Sequence, residues 1–130
     1  MSRLGEPGRE EVMAELGFPP NGAVKAVRKQ GDVYVLDVTG EVDLNRSVLL
    51  RETLLTVLQQ KPRTLVVNLS EVGFMDSSGL ATLVEALQLS RRYGGKLKLV
   101  GVQQRVRSIL EISRLDRIFE IYPTEAEALA

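Results

Sequence analysis

Four small polar residues, Asp76-Ser77-Ser78-Gly79, stand between the apolar run Thr64-Leu65-Val66-Val67-Asn68-Leu69 and the spaced set Leu80, Leu83, Val84 and Leu87. Residues of these types suit two kinds of chemistry at the start of a helix. Asp76 or Ser77 can cap the helix by accepting hydrogen bonds from unpaired backbone N–H groups, worth about 1 kcal/mol. The serine hydroxyl can also carry a phosphoryl group, because a helix N-terminus presents free amides and a partial positive charge. Phosphoserine brings about −1.5 to −2 charges at pH 7, and Asp76 beside it concentrates that charge in one patch. A switch of this kind acts on whatever binds over the patch and spares the fold. For a serine taken alone, capping is much the commoner use.

Other chemistries lack their parts. The chain has no His and no Cys, which removes the Ser-His-Asp triad, thiol catalysis and disulfides, and leaves no expected metal site. No Gly-x-x-x-x-Gly-Lys-Ser/Thr loop and no Gly-x-Ser-x-Gly elbow occurs. A receiver-type phosphoacceptor would sit at a strand end with acidic partners and a lysine, and Asp76 lies several residues beyond its strand. The reading is therefore a chain that is not an enzyme and needs no cofactor. Lys+Arg and Asp+Glu number 17 each, so the formal net charge is zero. With no basic stripe, nucleic acid is not an expected partner. The balance of 44% hydrophobic and 26% charged residues is that of a globular domain. No run approaches the ~20 apolar residues of a membrane span, and Met1–Gly8 has no apolar secretory core. A cytoplasmic location is the expectation.

The elements that must position the Asp-Ser-Ser-Gly joint follow from periodicity. Residues 1–22 read as an N-terminal extension, either a frayed tail or a short docking helix over Arg9–Leu16 that ends at Phe18-Pro19-Pro20-Asn21-Gly22. Residues 23–130 read as one domain. Ala23–Lys29 and Val33–Thr39 form a β-hairpin around Gln30-Gly31-Asp32. Asn45 is the expected cap of a helix over about Arg46–Gln60, with Leu50, Leu54, Val57 and Leu58 inward and Val48 and Leu55 widening that face. Thr64–Leu69 reads as a strand buried on both sides. A second helix spans about Ser78–Tyr93, closed by Gly94-Gly95. A strand at Lys96–Val100, a helix at about Gln103–Ser113, a short strand at Ile118–Tyr122 and a last helix capped by Thr124 complete the order. That order gives an α/β fold: a mixed central sheet of about five strands with about four helices.

The run Phe74-Met75-Asp76-Ser77-Ser78-Gly79-Leu80 closely resembles the signature of the STAS-domain family, especially its bacterial anti-sigma-factor antagonists. Val38-Thr39-Gly40-Glu41-Val42-Asp43 is similar to the family's strand end and Thr-Gly-Glu-Leu-Asp loop, and Leu110-Glu111-Ile112-Ser113-Arg114-Leu115 to the segment leaving its third helix. The likeness covers about Ala23 to Ala130. It implies a binding module whose unphosphorylated form captures an anti-sigma factor, itself a serine kinase that binds ATP, and so frees a sigma factor for transcription. Ser77 is then the residue phosphorylated, and a separate serine phosphatase restores binding. Asp76, Ser78, Gly79 and Asp43 form the environment of the phosphosite and the partner-binding surface. Asp43 either orients the Ser77 hydroxyl or simply caps the first helix. Leu44-Asn45-Arg46 departs from the commoner polar or His-containing start of the family's first helix, and Ala81 from the Gly that often follows the motif at the partner-facing surface. The family also supplies scaffolds and cytoplasmic subunits of stress-signalling complexes and lipid-transport ABC systems, which is the alternative reading.

Overall fold

In the computed structural model, which describes residues 10–17 and 21–130, the chain builds one six-stranded mixed sheet. β1 (Glu10–Glu11), β2 (Val24–Gln30) and β3 (Val33–Thr39) are antiparallel neighbours, and Gly31-Asp32 turns the hairpin between β2 and β3. Gly31 has φ +62°, the left-handed conformation that a two-residue hairpin turn asks for. From β3 onward the pairing is parallel, through β4 (Thr64–Glu71), β5 (Lys96–Val100) and β6 (Glu120–Tyr122), in strict chain order. The crossovers are α1 (Leu44–Gln59), α2 (Ser77–Arg92) and α3 (Gln104–Ile112), the last followed by a 3-10 turn at Leu115–Arg117. A short α4 (Glu125–Ala128) closes the described chain. No described helix is long and apolar enough to cross a membrane.

The side-chain alternation of the strands divides the interior in two. Leu36, Leu65, Val67, Leu97 and Leu99 face a large core shared with Leu50, Leu54 and Val57 of α1, Leu83 and Leu87 of α2, and Val106 and Leu110 of α3. Val35, Val66 and Val100 face the other way, into a small core completed by Ala128 of α4. β4 is thus buried on both faces, as its apolar run requires.

The reverse face also holds a charge network. Arg28 donates to both carboxylate oxygens of Asp37, at 2.8 and 2.9 Å, and to both of Glu125, at 3.2 and 2.8 Å. The Asn68 amide donates to Asp37 at 2.9 Å. These partners hold the Arg28 guanidinium above its already high ordinary pKa, Asp37 contributing most. Asp37 is only 9% exposed, a position where a carboxylate needs such company. Through Glu125 the network also fastens α4 to the sheet.

Three expectations are corrected. Within the described residues Arg9–Leu16 forms no helix: β1 pairs along β2, and the Glu11 carboxylate accepts from the amides of Met13 and Val27, at 2.9 and 3.1 Å. Backbone pairing with an open sheet edge outweighs the weak helical spacing, and Val12 and Met13 are buried in the main core. Arg9 itself, Gly5, Pro7, Gly8 and Phe18-Pro19-Pro20 lie outside the described residues. The cap of α1 is Asp43 rather than Asn45, because the extended Asp43 lets its carboxylate accept from Arg46 N–H at 3.0 Å. Val48 does not widen the buried face of α1. It is 53% exposed, since Leu50, Leu54, Val57 and Leu58 already complete that stripe.

Candidate functional site

Two loops leaving adjacent parallel strands assemble the site at their carboxyl ends, where open α/β sheets present their binding surfaces. After β3 the chain turns at Gly40, whose φ is +80° and whose N–H donates to Glu71 O at 3.1 Å. The loops then run side by side. Val42 N–H donates to Phe74 O at 2.9 Å and Asp76 N–H to Val42 O at 3.1 Å, making a parallel bridge between Val42 and Met75. Both side chains are fully buried. One bridge therefore anchors both helix starts, with Asp43 leading into α1 and Asp76 into α2.

Asp76 caps α2. Its backbone is extended, and its carboxylate accepts from Ser78 N–H at 2.9 Å and Gly79 N–H at 3.2 Å. The Ser78 hydroxyl donates to the same oxygen. That hydroxyl first, and then the amides of Gly79, Ser78 and Leu44, hold the Asp76 carboxyl below its ordinary range. Asp76 thus stays ionised at the mouth of the helix.

Of the two expected caps, Asp76 or Ser77, the aspartate does the work. Ser77 is the first helical residue and is exposed, and among the described residues no hydrogen bond engages its hydroxyl. Ser78 is turned back onto Asp76. Asp43 is exposed and engaged with Arg46 N–H, and no hydrogen bond joins it to Ser77 among the described residues. The fold brings Asp43, Asp76, Ser77, Ser78 and Gly79 to one end of the sheet.

Gly79 is required by how closely α2 presses on the bridge. A Cβ there would lie 2.5 Å from Met75 Cγ and 3.0 Å from Val42 Cγ1. The glycine lets the helix start sit down on the loops, which fixes the height at which Ser77 is displayed.

The surroundings include residues that sequence reasoning missed. Leu44 and Val48, one turn apart on the outer face of α1, are 68% and 53% exposed. Their i, i+4 spacing lies off the buried stripe, which is the sequence signal that marks them. An ion pair from Arg51 to Glu85, 2.7 Å, ties α1 to α2 farther along. On the α3 side, the Arg105 guanidinium lies 5.6 Å from the centre of the Phe74 ring.

Comparison with known proteins adds four findings. The family model for the STAS domain matches residues 24–128. The anti-sigma-B factor antagonist of Bacillus subtilis is 31% identical over 98 residues, covering 75% of this chain and 88% of the relative. The crystal structure of an anti-sigma factor antagonist from Mycobacterium paratuberculosis superimposes with a TM-score of 0.73 at 30% identity, over 79% of this chain and 87% of that one. The Bacillus cell fate determinant SpoIIAA in its phosphorylated form, 23% identical with a TM-score of 0.64 over 82% of this chain and 96% of its own, shares the fold.

Proposed function

The chain belongs to the STAS domain family, and on that premise we propose that it is an anti-sigma factor antagonist switched by phosphorylation of Ser77. The observation that carries the proposal is the division of labour at the start of α2. Asp76 satisfies the helix amides and Ser78 braces Asp76, so the Ser77 hydroxyl has no structural task and faces outward. A serine needed for capping would be held in place by the amides it satisfies. This one is open to a kinase.

The same geometry supports a switch that leaves the fold intact. A phosphoryl group on Ser77 sits at the positive end of a sixteen-residue helix, where an anion is tolerated. Together with the ionised Asp76 it makes a local charge of about −2.5 to −3. Exposed Asp43 lies on the neighbouring helix start. A partner that has just delivered the phosphoryl group from ATP still holds the remaining nucleotide phosphates opposite this patch, and like charges at close range oppose the complex. The unphosphorylated form, with a neutral hydroxyl on α2 and the apolar Leu44 and Val48 exposed on the neighbouring α1, is the binding form. On this reading the partner is an anti-sigma factor with serine kinase activity, binding releases a sigma factor, and a serine phosphatase resets the switch.

The test is the intact mass of the protein after incubation with its anti-sigma factor and ATP. One added phosphate in the parent and none in Ser77→Ala is the expected outcome. Full phosphorylation of Ser77→Ala would remove Ser77 from the assignment.

A further inference from the structure

At the far end of the α1–α2 pair, away from Ser77, the helices part over an open cleft of about 440 Å³. Its apolar walls are Leu55 and Leu58 of α1, Leu89 of α2, and Tyr93 at the α2 C-cap, while Lys61 and Arg92 stand at its rim. Leu58 is 6% exposed, and Leu55, Leu89 and Tyr93 are half-buried. The aromatic wall is fixed in advance. Tyr93 Oη donates to Pro62 O at 2.9 Å, and its ring lies so close over Gly95 that a Cβ there would stand 2.5 Å from Tyr93 Cε1.

The rim has one sign. Lys61 and Arg92 are exposed, neither side chain enters a hydrogen bond or ion pair among the described residues, and no carboxylate lines the cleft. The last carbonyls of both helices are turned back on the chain. Gln60 N–H donates to Leu58 O and Val57 O, Gly94 N–H to Arg91 O, and Gly95 N–H to Ser90 O. Two of the last four carbonyls of each helix are thus satisfied, which weakens the negative ends, and the rim cations Lys61 and Arg92 set the sign of the local charge.

We propose that this cleft is a second docking site, which takes a partner's peptide segment with leucine-sized side chains flanked by carboxylates. Apolar walls already in place accept such side chains without reorganisation, and a space of a few hundred Å³ suits a few of them. The two rim cations, unpaired among the described residues, select acidic flanks over basic ones. The open shape admits a segment that continues beyond the cleft, whereas a lone amphiphile would leave much of its tail in water. The site also works independently of the phosphoswitch. The sixteen residues of α2 separate its ends by about 22 Å, more than twice the Debye length of about 8 Å at physiological salt. A partner anchored here stays bound in both phosphorylation states.

The test is an amide chemical-shift titration of the whole chain with two blocked decapeptides, EELLEELLEE and KKLLKKLLKK, and separately with sodium octanoate. The acidic peptide is expected to shift Leu55, Leu89 and Tyr93, to bind at least tenfold more tightly than the basic one, and to bind Ser77→Asp within twofold of the parent. The double variant Lys61→Glu, Arg92→Glu should reverse the preference between peptides, and Leu89→Asp should abolish binding. Should Leu89→Asp fail to fold, the charge-reversed pair, which changes only exposed side chains, decides alone. Shifts centred elsewhere, no shifts, equal affinity for the two peptides, or tighter binding of octanoate than of the acidic peptide would each overturn the proposal.

Discussion

Replacing Gly79 by alanine tests how tightly the start of α2 is pressed onto the loops that display Ser77. The added methyl would meet Met75 Cγ at 2.5 Å, Val42 Cγ1 at 3.0 Å and Met75 Sδ at 3.2 Å. Met75 and Val42 are fully buried, and the obstructing Cγ lies in the middle of its side chain, so no free end can swing aside. Overpacking a filled core costs about 1–3 kcal/mol, and this site belongs in the upper half of that range. Alanine regains about 1 kcal/mol of helix propensity over glycine. The net loss is about 1–2 kcal/mol, since the clash outweighs the propensity. In a 130-residue chain that lowers Tm by roughly 4–8 °C. Urea unfolding of Gly79→Ala, Met75→Ala and the double variant provides the measurement. Shortening Met75 removes the obstruction, so the double variant should be more stable than the sum of the single effects by at least about 1 kcal/mol. A Gly79→Ala protein as stable as the parent, or more so, would refute the close approach and the account of how Ser77 is held.

Three further outcomes follow from the same geometry. The urea midpoint of the parent should exceed that of Asp76→Asn by a constant margin above about pH 5. Because the folded carboxyl titrates below its ordinary 3.8, that margin should shrink as the pH falls below this value and vanish under the folded pKa. Arg28→Met should cost about 3 kcal/mol in urea unfolding, the lower figure for removing one partner of a buried ion pair, and adding Asp37→Asn should recover part of that loss. Leu44→Ser with Val48→Ser should leave Tm within about 2 °C of the parent, as exposed substitutions usually do. The same pair should weaken capture of the anti-sigma factor at least tenfold in a binding titration.

Much of this arrangement was legible in the sequence because local rules governed it. The strand at Lys96–Val100 and the Thr124 cap stand where alternation and capping chemistry put them, Thr124 Oγ1 accepting from Glu127 N–H at 3.1 Å. The Asp-Ser-Ser-Gly joint was visible as small polar residues between apolar runs, but which residue caps was not, since aspartate and serine are both good caps. The decision rests on the Val42–Met75 bridge, which pairs loops more than thirty residues apart and leaves no local trace. Long-range pairing also explains the edge strand at Glu10–Glu11, where an open sheet edge overrode a helical spacing. Asp37 carries a sequence signal of its own. A carboxylate amid Val35, Leu36 and Val38 needs partners, but Arg28, Asn68 and Glu125 come from three other segments of the chain.

In the proposed switch, one exposed hydroxyl decides whether a partner binds. The most direct test is a calorimetric titration of the anti-sigma factor, in the presence of nucleotide, with homogeneous Ser77-phosphorylated and unphosphorylated protein, whose Tm values should agree. The expected affinity is at least tenfold lower for the phosphorylated form, about 1.4 kcal/mol or more. Equal affinities for the two forms, with the phosphate verified on Ser77, would contradict it.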